Sequence, residues 1–149
     1  MKKFIYVIVS LVLLSTATMF FLAHKSKSMT PSLGITNDQL LPCGEKPNCV
    51  SSFNQAEDTH YIAPSIYKGE SLSTLAEFLT KQGFTIIEET PTYIYTTHKS
   101  ALFSFVDDVE FFLNAGQVYF RSASRVGHSD MSANRKRILR FKFQITQNL

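Results

Sequence analysis

The chain has 149 residues, 15 of them Lys or Arg and 12 Asp or Glu, with 44% hydrophobic residues and no Trp. Residues 1–28 hold four lysines and no acid, while residues 29–149 carry 11 basic against 12 acidic residues. The basic balance thus comes from the flanks of one apolar stretch, which removes the electrostatic argument for a nucleic-acid binder, and 13 Phe with 6 Tyr exclude a disordered chain.

Met1-Lys2-Lys3 precedes an uncharged run from Phe4 to Ala23. Twenty residues at about 1.5 Å each span roughly 30 Å, the thickness of a bilayer core. One reading is a single-pass anchor of the inner membrane, filling residues 1–23. The alternative is a signal peptide cleaved after Ala17, with Ser15-Thr16-Ala17 supplying the small residues and releasing the rest to the periplasm. The apolar run continues through Met19-Phe20-Phe21-Leu22, which favours the anchor. In both cases Lys2 and Lys3 hold the N-terminus inside and the remainder is exported.

Residues 24–39 are polar, with Pro31 and Gly34, and read as a tether; a single domain is expected over residues 40–149. Its first landmark is Cys43-Gly44-Glu45-Lys46-Pro47-Asn48-Cys49. An even, close cysteine pair in an exported chain points to a disulfide, with free thiols or half of a zinc site as alternatives. His60, His98 and His128 have no ligand-like spacing, so neither a metal nor another cofactor is expected.

Residues 51–60 read as loop. Ser71 stands as an N-cap before Leu72, Leu75, Ala76 and Leu79, and Gly83 closes that helix. Strands are expected over Phe84–Glu89, Thr92–His98, Phe103–Leu113 and Gln117–Ser124, the last two joined by a hairpin at Asn114-Ala115-Gly116. The end is ambiguous. Leu139, Phe141, Phe143 and Ile145 alternate as in a strand, whereas Asn134, Ile138, Phe141 and Ile145 form a helical stripe that Ser129 or Asp130 would cap. The expectation is an α+β fold: an antiparallel sheet of about four strands packed with two helices, behind one N-terminal helix.

Charge is segregated. Residues 29–120 hold 4 basic and 11 acidic residues, and residues 121–149 hold 7 basic and 1 acidic. The hairpin brings Phe105-Val106-Asp107-Asp108-Val109-Glu110-Phe111 beside Arg121. A three-residue loop places Asp107 diagonal to Arg121; a two-residue loop places Glu110 opposite it. Asp107 and Asp108 are consecutive, so a strand sends them to opposite faces, which argues against their sharing one acid/base site. Gly127-His128-Ser129-Asp130 has triad residue types, but neighbours on one loop rarely converge. The candidate ligand-binding set is Asp107, Asp108, Arg121, Ser122, Arg125, Asp130, Asn134 and Arg135, with Arg121, Arg125 and Arg135 as anion clamps. One connected network joining Asp107 or Asp108 with Arg121, Asp130 and Arg135 is expected.

Three segments carry a resemblance: Leu41-Pro42-Cys43 with Pro47-Asn48-Cys49-Val50-Ser51-Ser52; Asp107-Asp108-Val109-Glu110-Phe111; and Arg121-Ser122-Ala123-Ser124-Arg125-Val126-Gly127-His128-Ser129-Asp130 with Asn134-Arg135-Lys136-Arg137. In this order, over about residues 40–140, they resemble domain-of-unknown-function family 1499. The family occurs in bacteria and plastid-bearing organisms, often with a signal or membrane segment, and implies no established activity. Met131-Ser132-Ala133 stands where the family more often has a glycine-containing stretch. For residues 138–146 the resemblance favours the helix. The reading is a non-enzymatic, membrane-tethered module of the cell envelope that binds an anionic ligand or an envelope protein. The alternatives are an envelope hydrolase or transferase acting on an anionic substrate, with Asp107 or Asp108 as acid/base, and a purely structural interaction domain.

Overall fold

The computed structural model describes residues 1–148. Helix α1 (Lys2–Ser28) has 27 residues, about 40 Å at 1.5 Å each, and is long and apolar enough to cross a membrane. It leads into a two-stranded hairpin, β1 (Ile35–Thr36) with β2 (Gln39–Leu40), turned by Asn37 and Asp38 at φ 52° and 57°. The remaining elements are β3 (Cys49–Ser51), β4 (Ser65–Ile66), α2 (Ser73–Lys81), β5 (Thr85–Glu89), β6 (Tyr93–Lys99), β7 (Val106–Asn114), β8 (Gln117–Ser124) and α3 (Ala133–Asn148).

The main sheet is antiparallel in the order β3-β8-β7-β6-β5, and β4 pairs the other half of the β8 edge that β3 occupies. The fold is α+β, as its residue patterns indicate. The four-strand meander appears where alternation places it, and the two short strands bring the sheet to six. The β7–β8 turn has two residues, Ala115 and Gly116 at φ 48° and 73°, so Glu110 pairs Arg121.

The start of α2 and the start of β7 differ from expectation, and the open choice for the last element is decided. Helix α2 starts after Leu72 rather than after Ser71, whose hydroxyl lies 2.8 Å from Ser73 Oγ. Phe103–Phe105 is not strand: Ser104 is at φ 59°, and Ser100 ties the loop shut through bonds to Phe105 and Ser104. Residues 133–148 are helix, because Asn134, Ile138, Phe141 and Ile145 bury one stripe while Leu139 and Phe143, the alternating positions, stay exposed.

The core lies between one sheet face and helices α2 and α3. Phe111 and Phe120 are fully buried at its centre, with their rings 5.9 Å apart, and Phe141 of α3 packs 5.6 Å from Phe111. Strand β7 is buried from Val106 to Leu113, so both sheet faces are covered. Chain from the N-terminal side covers the second face: Leu40 packs with Tyr93 and Phe112, and Phe53 stacks on Tyr119 at 4.8 Å. Residues 24–39 run against this face rather than away from it. Ser26 is fully buried and its Oγ accepts the Val106 N–H at 3.2 Å; Glu110 accepts the Gly34 N–H at 2.7 Å.

Candidate functional site

Alternation along β7 divides the motif charges between the two faces of the sheet. On the outer face, Glu110 is fully buried and its Oε2 accepts from Arg121 Nη1 at 3.0 Å. Its Oε1 accepts from Tyr93 Oη at 2.8 Å and from the Gly34 N–H. Two residues earlier, Asp108 takes a bidentate grip from Arg125, Nε to Oδ2 at 2.9 Å and Nη2 to Oδ1 at 2.8 Å. Tyr95 Oη donates to the same Oδ1 at 2.8 Å. Arg125 Nη1 reaches the carbonyls of Ser26 and Met29, both at 3.1 Å, and thereby clamps the end of α1 to the sheet.

Burial, with a carboxylate beside each ring, fixes the protonation of these groups. Burial first, then the bond to Asp108, pushes the Tyr95 phenol up to about 12. Burial and then Glu110 raise Tyr93 further. The Arg125 guanidinium is held above its ordinary value, chiefly by its bond to Asp108. Both phenols are therefore neutral donors at physiological pH.

On the helix face, Asp107 Oδ2 accepts from Arg137 Nη2 at 2.6 Å. Arg137 Nη1 also donates to Asn134 Oδ1 at 2.5 Å and to Ser122 Oγ at 3.0 Å. Asn134 is 1% exposed and spends both ends of its amide. Its Oδ1 also accepts from Ser122 Oγ at 2.6 Å, and its Nδ2 donates to the Asn48 carbonyl at 2.9 Å and to Ser124 Oγ at 3.0 Å. The β8 hydroxyls, the segment before β3 and the first turn of α3 are thereby one unit. Arg137 Nη2 lies 3.2 Å from His98 Nδ1. A guanidinium only donates, so Nδ1 accepts and the ring proton sits on Nε2. Burial first, then the Arg137 charge, lowers the His98 pKa below its ordinary 6.5.

The expected single network is therefore corrected. Asp107 and Asp108 lie on opposite faces. Arg121 pairs Glu110, and Arg125 rather than Arg121 takes Asp108. Asp130 caps α3, accepting the N–H groups of Ser132 at 3.0 Å and Asn134 at 2.7 Å. Arg135 donates to backbone carbonyls, Tyr61 at 3.0 Å and Thr59, and meets no motif acid. What the structure does bring together is Asp107, Ser122 and Asn134 on one face, and Asp108, Arg121 and Arg125 on the other.

Residues absent from the expected set are central. Arg137 meets Asp107 across the helix–sheet interface, which strand register does not display, whereas His98 stands opposite Asp107 in the β6–β7 register. Glu110 and the two tyrosines complete the outer cluster; the two-residue hairpin register was the available signal for Glu110.

Cys43 and Cys49 form a disulfide, with S–S 2.01 Å and Cα atoms 5.7 Å apart. The loop beside it is latched to the ring. Cys43 N–H donates to Asn54 Oδ1 at 2.8 Å, Asn54 Nδ2 to Asp58 Oδ2 at 2.8 Å, and His60 Nδ1 lies 2.6 Å from Asp58 Oδ1. These bonds, led by the His60 backbone N–H, hold the Asp58 carboxyl at about 2.

Three clefts border the motif. One of about 180 Å³ lies beside the disulfide, between Pro47, His60, Asp130 and Arg135. Another, about 310 Å³, separates residues 29–32 from Asp108, Arg121 and Arg125. The third, about 210 Å³, is lined by Phe84, Phe141, Gln82, His98, Lys136, Arg137 and Arg140. Among the described residues, no three His, Cys, Asp or Glu side chains are grouped to hold a metal ion.

The fold and these clusters define a class: an α+β domain on a mixed-length antiparallel sheet, stapled by a disulfide and preceded by an apolar helix long enough to cross a membrane. The family model of a protein of unknown function (DUF1499) matches residues 39–145, and the chain belongs to that family. No curated protein and no solved structure matches the chain.

Proposed function

We propose that this protein is a non-enzymatic binding module, anchored in the inner membrane by α1 with its domain outside the cytoplasm, and that it takes an amphiphilic anion in the cleft between α3 and β6. The anchor reading rests on the uncharged run Phe4–Ala23 behind Lys2 and Lys3. A disulfide in a ring of seven residues fits an oxidising compartment.

The observation that carries the choice of ligand is the character of the third cleft. Its polar wall presents Lys136, Arg137 and Arg140; Asp107 neutralises Arg137, and Lys136 and Arg140 pair with no acid among the described residues. The rings of Phe84 and Phe141, 5.2 Å apart and mostly buried in the core, line its floor beside them. A charged head on the lysine and arginine with a short apolar body against the exposed ring edges fits this lining. The outer-face ion pairs are a different matter: Glu110 is held by guanidinium, phenol and backbone donors and Asp108 by guanidinium and phenol, which suits a framework better than acid/base chemistry.

The test is a titration of the full chain in nanodiscs with a short-chain alkyl phosphate and an alkanoate. Both should raise the melting temperature, and Lys136→Ala with Arg140→Ala should abolish the shift while Arg121→Met, in the other cluster, keeps it. Absence of any shift with either amphiphile overturns the binding reading.

A further inference from the structure

The loop between β6 and β7, residues 100–105, is Ser100-Ala101-Leu102-Phe103-Ser104-Phe105. A loop tip on a water-soluble surface is ordinarily polar. This one exposes Leu102 at 80% of its area, with Phe103 and Phe105 only partly covered. It is also closed at its base, where Ser100 N–H donates to the Phe105 carbonyl at 2.9 Å, Ser104 N–H to the Ser100 carbonyl at 3.0 Å, and Phe105 N–H to Ser100 Oγ at 3.0 Å. The apolar side chains are thus held outward.

What they are held against is fixed by α1. Phe103 meets Phe20 edge to face with ring centres 5.5 Å apart, and Phe105 meets Phe103 at 6.0 Å. Phe20, Ala23 and Ser26 form one stripe of α1, and this stripe faces the domain. Ala23 and Ser26 are buried, Val106 N–H bonds Ser26 Oγ, and Arg125 bonds the Ser26 carbonyl. Phe20 lies three residues inside Ala23, the last residue of the uncharged run, which at 1.5 Å per residue is about 4.5 Å. A loop in contact with Phe20 therefore sits at the depth of the apolar run, not above it. Three exposed lysines lie on the domain side of that contact: Lys25 and Lys27 just past the run, about 7 to 10 Å beyond Phe20 along the helix, and Lys99 at the foot of the loop.

We infer that residues 101–105 are a second membrane contact, inserted into the outer leaflet beside α1, with Lys25, Lys27 and Lys99 at the level of anionic headgroups. The occupant of this apolar patch is the bilayer that holds α1; the inference therefore rests on the anchor reading. An apolar tip flanked by lysines is the chemistry of an interfacial contact, in which burial of the tip and attraction to anionic lipid act together. Helix and loop then grip the membrane at two points, so the domain is fixed end-on rather than swinging on a free linker.

The absence of Trp makes a direct test possible. Three full-length variants, each with one Trp, are reconstituted in nanodiscs of phosphatidylcholine and phosphatidylglycerol whose acyl chains carry bromine. Leu13→Trp lies mid-run in α1 and reports the anchor. Leu102→Trp reports the loop. Thr92→Trp is exposed at the opposite end of β6, about 20 Å away along the strand. The inference expects blue-shifted, bromine-quenched emission from Leu13→Trp and Leu102→Trp, the latter quenched best by bromine near the headgroup, and unquenched emission from Thr92→Trp. Quenching of Leu13→Trp alone overturns the inference and leaves the anchor standing. Quenching of neither removes the anchor and the inference with it. Equal quenching of all three shows a domain lying flat, which also overturns the end-on contact.

Discussion

Replacing Arg121 with Met removes the cation paired with Glu110. The side chain of Glu110 is fully shielded from solvent, and its remaining donors are a phenol and a backbone N–H. Breaking a buried ion pair from one side costs about 3–5 kcal/mol, because the charge left behind has neither water nor partner. The Met side chain restores most of the packing volume, so little of the loss is cavity. For a domain of this size, 1 kcal/mol moves the melting temperature by about 4 °C or more, so a fall of at least roughly 12 °C is expected. Glu110→Gln in the Arg121→Met background removes the stranded charge while its amide oxygen still accepts from Tyr93 and Gly34. The double variant should recover more than half of the loss, giving a coupling of about 2 kcal/mol or more. Thermal melts of the full chain in detergent, followed by near-ultraviolet circular dichroism, measure the whole cycle. If Arg121→Met melts within a degree or two of the parent, or if the glutamine deepens the loss, Glu110 is not a buried charge held by Arg121.

Two further outcomes follow from the same coordinates. His98 has a folded pKa below 6.5, so the unfolded chain binds more protons between the two values. Its contribution is complete above pH 6.5 and is lost as pH falls through the folded value; melting curves between pH 7.5 and 5 should steepen downward, and His98→Gln should flatten that slope, whereas an unchanged slope excludes His98 as its source. Cys43 and Cys49 should be recovered oxidised from cells, their peptide lighter by the mass of two hydrogens, and reduction should cost about 2 kcal/mol for so short a ring; full alkylation under native extraction contradicts this.

Much of the fold was legible because its periodicities are clean. The apolar face of α2 and the alternation in β5, β6 and β8 each point to one element type. Helix α3 was not legible from pattern, since Leu139, Phe141, Phe143 and Ile145 satisfy the strand period while Asn134, Ile138, Phe141 and Ile145 satisfy the helical one; only its packing, with Ile138 against the sheet and Phe143 in solvent, distinguishes them. The motif charges were legible as pairs across adjacent strands, but their grouping was not. Arg125 lies beyond the end of β8 and reaches back to Asp108, and Arg137 meets Asp107 from a helix. Residues 24–39 look like a spacer because their side chains are polar. What binds them is mostly backbone, the carbonyls of Ser26 and Met29 and the N–H of Gly34, which composition does not display.

Strand β8 is sealed along its outer edge by two short strands set end to end, β3 over Arg121–Ala123 and β4 over Gln117–Val118. The opposite margin of the sheet is β5, which carries Glu88 and Glu89 and an irregularity between Ile86 and Glu88. Chains confined to a surface meet in two dimensions, at local densities far above those of the same number of molecules in solution. An unguarded strand margin would there recruit its neighbours into a growing ribbon. With the proposed anchor in a bilayer, two carboxylates and a kink on the β5 margin keep that strand from pairing with a neighbouring copy.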